Sequence, residues 1–418
     1  MTRIQVANLG VLRQADIDLD RRVLLFCGPD STGKSYAATT VFGFYRVLSE
    51  GTAALPDLSE MEPLVENLIH EREIVRPLEE CYLEALQPML ASFGQELQAN
   101  LVTLFGTPQE RFAETEIHLR CLNPPMARAH LHALPLSLQR MVDGVSLRVS
   151  LDWHDNQIRW VRSGREPNPR ILRRLVSNIM SEFISWCLSG MVRPAVFPVE
   201  RMAIAVFGRD LPLQPESLVR RAQQSETPTQ TYSLATYEHD RLLERLAQYL
   251  DDRGELADLA EEMERRVLRG TVRISDVKEL SFVPDHGRPV TMMMAGPVVK
   301  SLAVMVAYLR HMASDTDVLI VEDPEMNLQP EMRRSLARIL AKVANRGIKL
   351  LISTHSKEIA DEFSDLVLVG SGHPKAKKLI RRFGYREEEN LKPEDIGVYL
   401  FQGDRADSVP VGPGGFTV

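Results

Sequence analysis

Residues 28 to 35 have the types and spacing of a phosphate-binding loop. They read Gly28-Pro-Asp-Ser-Thr-Gly-Lys-Ser35 and match the pattern GxxxxGK[ST]. In this pattern backbone N–H groups surround phosphate oxygens, Lys34 reaches the β and γ phosphates, and the Ser35 hydroxyl binds Mg²⁺. The chain is therefore predicted to bind a nucleoside triphosphate with Mg²⁺. The other residues of the segment predicted to bind it are Gly28, Pro29, Asp30, Ser31, Thr32, Gly33 and Tyr36.

Two acidic residues follow a second apolar segment. The run from Asp317 to Val321 is predominantly apolar and predicts a buried parallel strand, which delivers Glu322 and Asp323 to the ligand edge of a sheet. We expect Glu322 to hold Mg²⁺, directly or through its waters, and Asp323 to orient the water that attacks the γ-phosphate. Taken alone, the two acids are also compatible with a strand end capped by solvated carboxylates.

A histidine follows a third apolar segment. Lys349 to Ile352 predicts another buried strand, and His355 emerges shortly after it. A neutral imidazole at that edge would hydrogen-bond the γ-phosphate or the attacking water, so His355 joins Glu322 and Asp323 as a predicted catalytic residue. A lone histidine after a strand is more often a satisfied polar cap, and the other two motifs favour the catalytic interpretation.

These three motifs require a sheet whose parallel strands end at one edge. The apolar run Val23–Cys27 predicts the strand before the phosphate loop, and a helix-compatible segment begins at Tyr36. Before them, Arg3–Val6 and Ala15–Leu19 predict a two-stranded ribbon. Alternating strands and helices are predicted again from Ser301 to Val369.

The middle of the chain carries no phosphate-handling motif and is predicted to be an insertion. Its predicted elements are a helical region from Glu60 to about Phe105 with apolar residues Leu64, Leu68, Ile74, Leu83, Leu86 and Leu90, a β-hairpin of Ser146–Trp153 and Gln157–Val161 turned at Asp155-Asn156, a strand at Ala195–Pro198, a polar linker Gln223–Thr231, and an amphipathic helical run Tyr237–Leu268 broken near Asp252–Gly254. The predicted domains are a split head (1–50 and 275–400), an inserted helical/β domain (51–274) and a C-terminal strand or tail (401–418).

Composition limits the class of protein. No apolar run reaches the ~20 residues of a membrane span, so no membrane association is expected. The four cysteines are widely spaced without a zinc pattern, which indicates reduced thiols and a cytoplasmic location. The net charge of −7 argues against a uniformly basic nucleic-acid coat.

Two basic clusters leave DNA open as a partner. Either would contact a phosphate backbone, and the alternative is a solvated face balanced by nearby acids. The first comprises Arg159, Arg162, Arg165, Arg170, Arg173 and Arg174, and the second Lys375, Lys377, Lys378, Arg381 and Arg382.

The three motifs together resemble the ABC-type ATPase heads of the OLD and RecF-like group of AAA family ATPases, which are related to the SMC and DNA-repair ATPases. The resemblance rests on Gly28–Ser35, on Leu319–Glu325 with Asn327–Pro330, and on Ile352–Ser356. Phe197–Arg201 resembles a Pro-x-Glu-Arg segment of these heads. The implied fold is α/β, a P-loop NTPase with an ABC-type head (a mixed sheet flanked by helices) and a large, mainly helical insertion with a β-hairpin.

The resemblance also implies a partner and a signature segment. Family heads form head-to-tail homodimers, or higher homo-oligomers, that enclose two ATP molecules. The signature that reaches the partner's γ-phosphate aligns with Met294–Leu302, so Gly296 and Lys300 are expected to contact nucleotide. Gly296-Pro297 stands where relatives have Ser-Ser, Pro297 lacks an N–H, and Asp323 is shorter than the usual Glu, so hydrolysis is expected to be slow. Gln329 and Asp30 replace a common His and a frequent Asn.

The expected function is an ATP-binding, slowly hydrolysing dimeric switch that controls an effector supplied in trans, a nuclease or toxin, in bacterial anti-phage defence or DNA repair. The segment after His355 carries no Toprim-like acidic constellation, so a nuclease in cis is not expected. The alternatives are the ATPase subunit of a membrane transporter, disfavoured by the missing Leu-Ser-Gly-Gly-Gln signature, and a small-molecule kinase.

Overall fold

Sixteen strands form three sheets in the computed structural model, which describes residues 2–50, 61–121, 137–152, 155, 157–189, 193–207, 232–249, 252–275 and 279–418. The strands of the main sheet, in chain order, are β1 Thr2–Leu9, β2 Leu12–Asp18, β3 Val23–Cys27, β5 Glu116–Cys121, β9 Arg193–Phe197, β13 Asp317–Glu322, β14 Lys349–Thr354, β15 Ile396–Gln402 and β16 Arg405–Val409. The two smaller sheets contain β4 Glu73–Pro77, β6 Ser137–Val142, β7 Val145–Asp152 and β8 Gln157–Gly164, and β10 Gly270–Ile274, β11 Leu280–Pro284 and β12 Val290–Thr291.

Helices flank these sheets, so the predicted α/β class is confirmed. They are α1 Lys34–Glu50, α2 Glu62–His70, α3 Leu78–Ala99, α4 Leu101–Phe105, α5 Pro169–Ser189, α6 Arg201–Phe207, α7 Leu234–Leu246, α8 Ala257–Met263, α9 Pro297–His311, α10 Pro330–Asn345, α11 Lys357–Gly370 and α12 Ala376–Phe383. A π-helical turn, Glu264–Leu268, continues α8, and short 3₁₀ turns lie at Gln109–Phe112, Glu387–Glu389 and Pro393–Asp395. None of the described helices has the length and apolar character needed to cross a bilayer.

The main sheet is mixed, and its parallel half forms the predicted ligand edge. Its order is β5-β1-β2-β16-β15-β3-β14-β13-β9, and β15, β3, β14, β13 and β9 run parallel to one another. Glu322 lies opposite Ser353, and Thr354 lies opposite Cys27. Because parallel strands end at the same edge, this register brings the phosphate loop, the acid pair and His355 together.

Alternate residues of the central strands pack into two cores, one on each face of the sheet. Leu24 and Phe26 of β3 contact the core that contains α1 and much of the middle region. Val23, Leu25 and Cys27 contact the other core, which contains α9, α10 and α11. Strands buried on both faces read as continuous apolar runs, which is why their sequences were recognisable.

The middle of the chain forms a sheet of its own and also contributes strands to the main sheet. Its strands β4, β8, β7 and β6 form a four-stranded antiparallel sheet that contains the predicted hairpin as β7 and β8. Two further strands of this region join the main sheet: β5 pairs with β1, and β9 pairs with β13. The domain division at residues 51 and 274 stays a prediction, with β5 and β9 extending the head sheet into that range.

One local prediction is wrong. Ile74 was expected on a helical face, but it lies in β4, where Ile74 is buried while Glu73 and Val75 are exposed. This alternation of burial and pairing with β8 favour a strand over continuation of α2. The ribbon β1–β2, the strand β9 and the helical break between α7 and α8 agree with the sequence predictions. The predicted linker Gln223–Thr231 and the turn residue Asn156 lie outside the described residues.

Candidate nucleotide-binding site

The predicted phosphate loop connects β3 to α1 and is closed by its own lysine. The Lys34 ammonium is buried and donates to the carbonyls of Gly28 at 2.9 Å and Pro29 at 2.6 Å. The Thr32 hydroxyl donates to the same Pro29 carbonyl at 2.8 Å. These bonds hold the loop as a tight arch at the N-terminus of α1, where the helix dipole favours an anion.

Two glycines of the loop are required by close packing. Gly28 has φ +147°, and a Cβ there would lie 2.2 Å from the Phe401 carbonyl oxygen of β15. Gly33 has φ +96°, and its Cβ would press on Leu12 of β2 at 3.0 Å. Any larger residue would displace the loop from the sheet edge. Ser31, exposed at the top of the loop, adopts a left-handed conformation with φ +63°.

The acid strand reaches the base of this loop. Burial of the Glu322 carboxylate raises the pKa of Glu322 to about 7, and the neighbouring Ser35 side chain acts in the opposite direction. A hydroxyl beside a buried carboxylate offers hard oxygen ligands, the kind that Mg²⁺ prefers, and a divalent cation would favour the ionised acid. The donor set of Ser35 and Glu322 therefore fits the cation predicted there.

Asp323 sits one residue beyond the strand in an unusual backbone conformation. Its φ is +42°, and this left-handed geometry is held by its N–H donating to Ser353 O at 2.9 Å and by its carbonyl accepting from Arg201 at 2.7 Å. Strained backbone of this kind persists only where surrounding contacts fix it. The half-buried carboxylate is consequently aimed at the edge, with Oδ1 3.4 Å from the Nδ1 of His355.

His355 is placed by a residue to which no role was assigned from the sequence, Glu325. The buried Oε1 of Glu325 accepts hydrogen bonds from Thr354 Oγ1 at 2.6 Å, from the backbone N–H of His355 at 2.9 Å and from that of Ser356 at 3.0 Å. This carboxylate joins the ends of β13 and β14. It fixes the segment from which the half-exposed His355 ring projects.

A third carboxylate, Asp30, approaches the same imidazole. Its Oδ1 lies 3.6 Å from His355 Nδ1 and 4.0 Å from Lys34 Nζ. The ligand atoms of Asp323, Glu325 and His355 are also within 4.8 Å of one another, a spacing compatible with a cation. Glu325 Oε1 already accepts from three donors, whereas its buried Oε2 has no hydrogen-bond partner among the described residues. The Ser35–Glu322 pair adjoins the phosphate loop and is the candidate for Mg²⁺.

Arg201 ties the acid strand to a distant helix. Its guanidinium is 1% exposed and donates to four backbone carbonyls: Pro198 at 2.9 Å, Ser301 at 3.0 Å, Glu322 at 2.6 Å and Asp323 at 2.7 Å. Burial lowers the pKa of Arg201 to about 10, which leaves it charged at neutral pH. Arg201 therefore locks the start of α9, the end of β9 and the acid pair into one unit.

The predicted signature segment lies at the other end of this link. Gly296 precedes α9, and a Cβ built on it would meet nothing within 4 Å. Lys300 donates to Met293 O at 3.0 Å within its own segment, and Met293 and Met294 are 60% and 77% exposed. Among the described residues, no hydrogen bond or ion pair joins Gly296 or Lys300 to the phosphate loop of the same chain.

Sequence reasoning located the loop, the acid pair and His355 and missed two positioning residues. Arg201 lies in the segment Phe197–Arg201, and no single-sequence signal indicates that an arginine after a strand will be buried. Glu325 had a usable signal, since it continues the acidic run after Val321. The ring of Tyr36 packs against Gly10, and its centroid lies 5.7 Å from that of Phe105; binding of nucleotide by Tyr36 stays a prediction.

Comparisons with known proteins give one family match. Residues 208–361, less than half of the chain, match the family described as "AAA domain, putative AbiEii toxin, Type IV TA system". This range contains the signature segment, the acid pair and His355 but not the phosphate loop. The match is a similarity to an AAA domain that is confined to this part of the chain. No curated protein matches the chain.

Solved structures of SMC head domains are similar to this chain over nearly its full length. An SmcHead bound to the C-winged helix domain of ScpA is 9% identical with a TM-score of 0.38, and the similarity covers 97% of this chain and 96% of that one. The SMC head domain from Thermotoga maritima is 10% identical with a TM-score of 0.32, covering 98% of both. An Smc head domain with an extended coiled coil, bound to a ScpA domain derived from Pyrococcus furiosus, is 10% identical with a TM-score of 0.34, covering 98% and 96%.

Proposed function

We propose that this protein is an ATP-driven switch: it binds ATP with Mg²⁺, closes as a homodimer, and hydrolyses ATP slowly. The observation that carries the proposal is the meeting of three distant segments at one sheet edge, with the Ser35 side chain next to the Glu322 carboxylate and Asp323 beside His355. Lys34 would exchange its carbonyl partners for phosphate oxygens, and Ser35 with Glu322 would hold Mg²⁺.

In the hydrolysis step, a water molecule is the nucleophile that attacks the γ-phosphate. Asp323 would orient a water molecule in line with the γ-phosphate, and His355 would stabilise that water or the phosphate oxygens. Mg²⁺ supplies charge neutralisation at the phosphates. The short Asp323 side chain reaches less far than a glutamate, which supports slow turnover.

The second half of the site would come from another copy of the chain. Gly296 and Lys300 are exposed to solvent or half-buried and bond nothing in their own phosphate loop. A head-to-tail dimer would place them against the partner's γ-phosphate. Arg201 would then carry the closure from the start of α9 to the backbone of Glu322 and Asp323.

The output of the switch would be an effector supplied by another chain. The matched family description names a toxin of a type IV toxin–antitoxin system, which supports a role in bacterial defence over a housekeeping role. The candidate catalytic groups among the described residues all lie at the nucleotide site. The effector would therefore be a separate nuclease or toxin in the cytoplasm, which is released or activated when the dimer closes. The alternative biological role for the same ATP-driven switch is DNA repair.

Calorimetry and phosphate release test the nucleotide chemistry. Lys34→Ala should weaken Mg-ATP binding at least about 100-fold because it removes the buried cation that faces the phosphates. Lys377→Ala removes the same charge from an exposed helix and should bind like the wild type. Equal binding by Lys34→Ala and the wild type, or wild-type protein that takes up no Mg-ATP, would overturn the proposal.

A further inference from the structure

Three carboxylates surround one imidazole nitrogen at the ligand edge of the main sheet. Nδ1 of His355 lies 3.4 Å from Asp323 Oδ1 and 3.4 Å from Glu325 Oε1. Asp30 Oδ1 is 3.6 Å from the same nitrogen. An N–H···O hydrogen bond is usually about 2.9 Å long, and a ring nitrogen carries at most one proton. One proton on Nδ1 therefore cannot satisfy all three carboxylates.

One of these carboxylates has a buried oxygen without a hydrogen-bond partner. The Glu325 side chain is 1% exposed, and its Oε1 accepts from three donors, whereas Oε2 has no partner among the described residues. In the part of the chain that the structure describes, no lysine or arginine forms an ion pair with Glu325. Buried charges in proteins are paired or coordinate metal ions. A cation beside His355 would satisfy this carboxylate.

The spacing of these groups fits coordination of one shared ion. Two ligand atoms that are each about 2.1 Å from a tetrahedral ion lie about 3.4 Å apart. The two distances from His355 Nδ1 to the oxygens of Asp323 and Glu325 have this value. Ligand atoms of all three residues lie within 4.8 Å of one another. An ion between them would take the place of the proton on Nδ1.

The ligand types identify the class of ion. Mg²⁺ prefers oxygen ligands in an octahedral arrangement, whereas Zn²⁺ accepts histidine nitrogen together with carboxylate oxygen. A Zn²⁺ ion with three protein ligands keeps a further position for water. The side chains of His355 and Asp30 are 44% and 77% exposed, so an ion and its water can reach the cluster from solvent.

We infer that Asp323, Glu325 and His355 form a binding site for a transition-metal dication of the Zn²⁺ class, separate from the predicted Mg²⁺ site. Asp30 would contact the ion through a bound water. Because Asp30 Oδ1 is 4.0 Å from Lys34 Nζ, the ion would lie near the cation that faces the phosphates. There it would offset carboxylates that repel a γ-phosphate. Only this last consequence rests on the proposed function, since the metal site needs no nucleotide.

The test is calorimetric titration of the metal-free full chain with Zn²⁺, without nucleotide and in a large excess of Mg²⁺. The wild type should bind one Zn²⁺ per chain with a dissociation constant of about 1 μM or lower. His355→Gln and Asp323→Asn each remove a ligand and should weaken binding at least about tenfold. Both side chains are partly exposed, so the thermal midpoints should match the wild type. Glu325 is kept, because its Oε1 holds the end of β14.

Two control variants separate this site from other metal-binding groups. His118→Gln removes an exposed imidazole that has a single carboxylate, Glu116, at 3.6 Å, and should bind Zn²⁺ within about twofold of the wild type. Ser35→Ala removes a predicted Mg²⁺ ligand and should also keep Zn²⁺ affinity within about twofold.

Four results of the Zn²⁺ titration would each overturn the inference. They are no tight Zn²⁺ binding by the wild type, undiminished binding by either ligand variant, an equal loss in His118→Gln, and an equal loss in Ser35→Ala. Mg-ATP calorimetry is a separate measurement. A chain that binds Zn²⁺ as described but takes up no Mg-ATP would keep the metal site and lose the proposed function.

Discussion

The phosphate loop and the predicted signature segment differ in how tightly each is packed within its own chain. In the loop, Lys34 is buried and bonded to two carbonyls, and Gly28 fits against Phe401 so closely that no Cβ is allowed. In the signature segment, Gly296 has open space around it and Met294 is 77% exposed. The loop is bonded within its own chain, whereas the predicted signature segment, among the described residues, forms no hydrogen bond or ion pair with that loop.

The difference indicates where each region should fail when altered. A change in the loop should act on a single copy of the protein, through nucleotide affinity. A change in the signature segment should leave the isolated copy intact and act only when two copies meet. Arg201 connects the two regions, because it donates hydrogen bonds to the carbonyl of Ser301 in α9 and to the carbonyls of Glu322 and Asp323.

Removing the hydrogen bonds of Arg201 is expected to have the largest effect on stability of the variants considered. Arg201→Met removes a buried cation and strands four carbonyls, which should lower the free energy of unfolding by about 3 to 5 kcal/mol. Urea unfolding followed by circular dichroism measures it. Arg346→Met removes an arginine that is half exposed and paired with Asp258, and should cost less than about 1 kcal/mol. Similar losses of unfolding free energy in both variants would contradict the inference that Arg201 holds α9, β9 and the acid pair together.

Asp323, which follows β13, should affect the rate of ATP hydrolysis but not the affinity for ATP. Asp323→Asn preserves side-chain size and the left-handed backbone that asparagine tolerates, but it cannot orient the attacking water as a carboxylate does. Phosphate release should fall at least about 100-fold, while Mg-ATP affinity changes less than about threefold. The exposed control Asp361→Asn should retain both properties. Normal turnover in Asp323→Asn would contradict the role given to this carboxylate.

A bulky residue in the signature segment tests the other side of the comparison. Gly296 has an ordinary φ of −65° and open space, so Gly296→Trp should keep the thermal midpoint and Mg-ATP affinity of the single copy. It should reduce hydrolysis at least about tenfold by blocking the approach of a second copy. Gly414→Trp, at another glycine with open surroundings, is the control. Reduced nucleotide affinity in Gly296→Trp would mean that this segment serves its own loop.

The smallest predicted effect concerns Asp30 in the phosphate loop and its influence on Mg-ATP affinity. Asp30 places an exposed carboxylate near Lys34 and His355, where it would repel bound phosphates. Asp30→Asn should therefore raise Mg-ATP affinity by about threefold at low salt. The gain should shrink as ionic strength rises, because salt screens exposed charges. Calorimetry at two salt concentrations distinguishes this outcome from a salt-independent gain, which would indicate a change in loop structure.

The sequence predicted the loop, the acid pair and His355 because each follows a strand buried on both faces, and such strands read as apolar runs. The rule that parallel strands end at one edge then brought them together. It did not predict β4, whose alternation at Ile74 resembled a helical spacing, or the entry of β5 and β9 into the main sheet. Those features depend on long-range pairing, as do the burial of Arg201 and the bonds of Glu325.

The most direct test of the composite site is the mass of Asp323→Asn in solution with and without Mg-ATP. This variant is expected to hold ATP without turnover, so a closed dimer should accumulate. The account predicts 47.2 kDa without nucleotide and twice that mass with Mg-ATP. Adding Gly296→Trp to the same chain should abolish the change. A mass that stays at that of one chain while calorimetry records bound ATP would contradict the account.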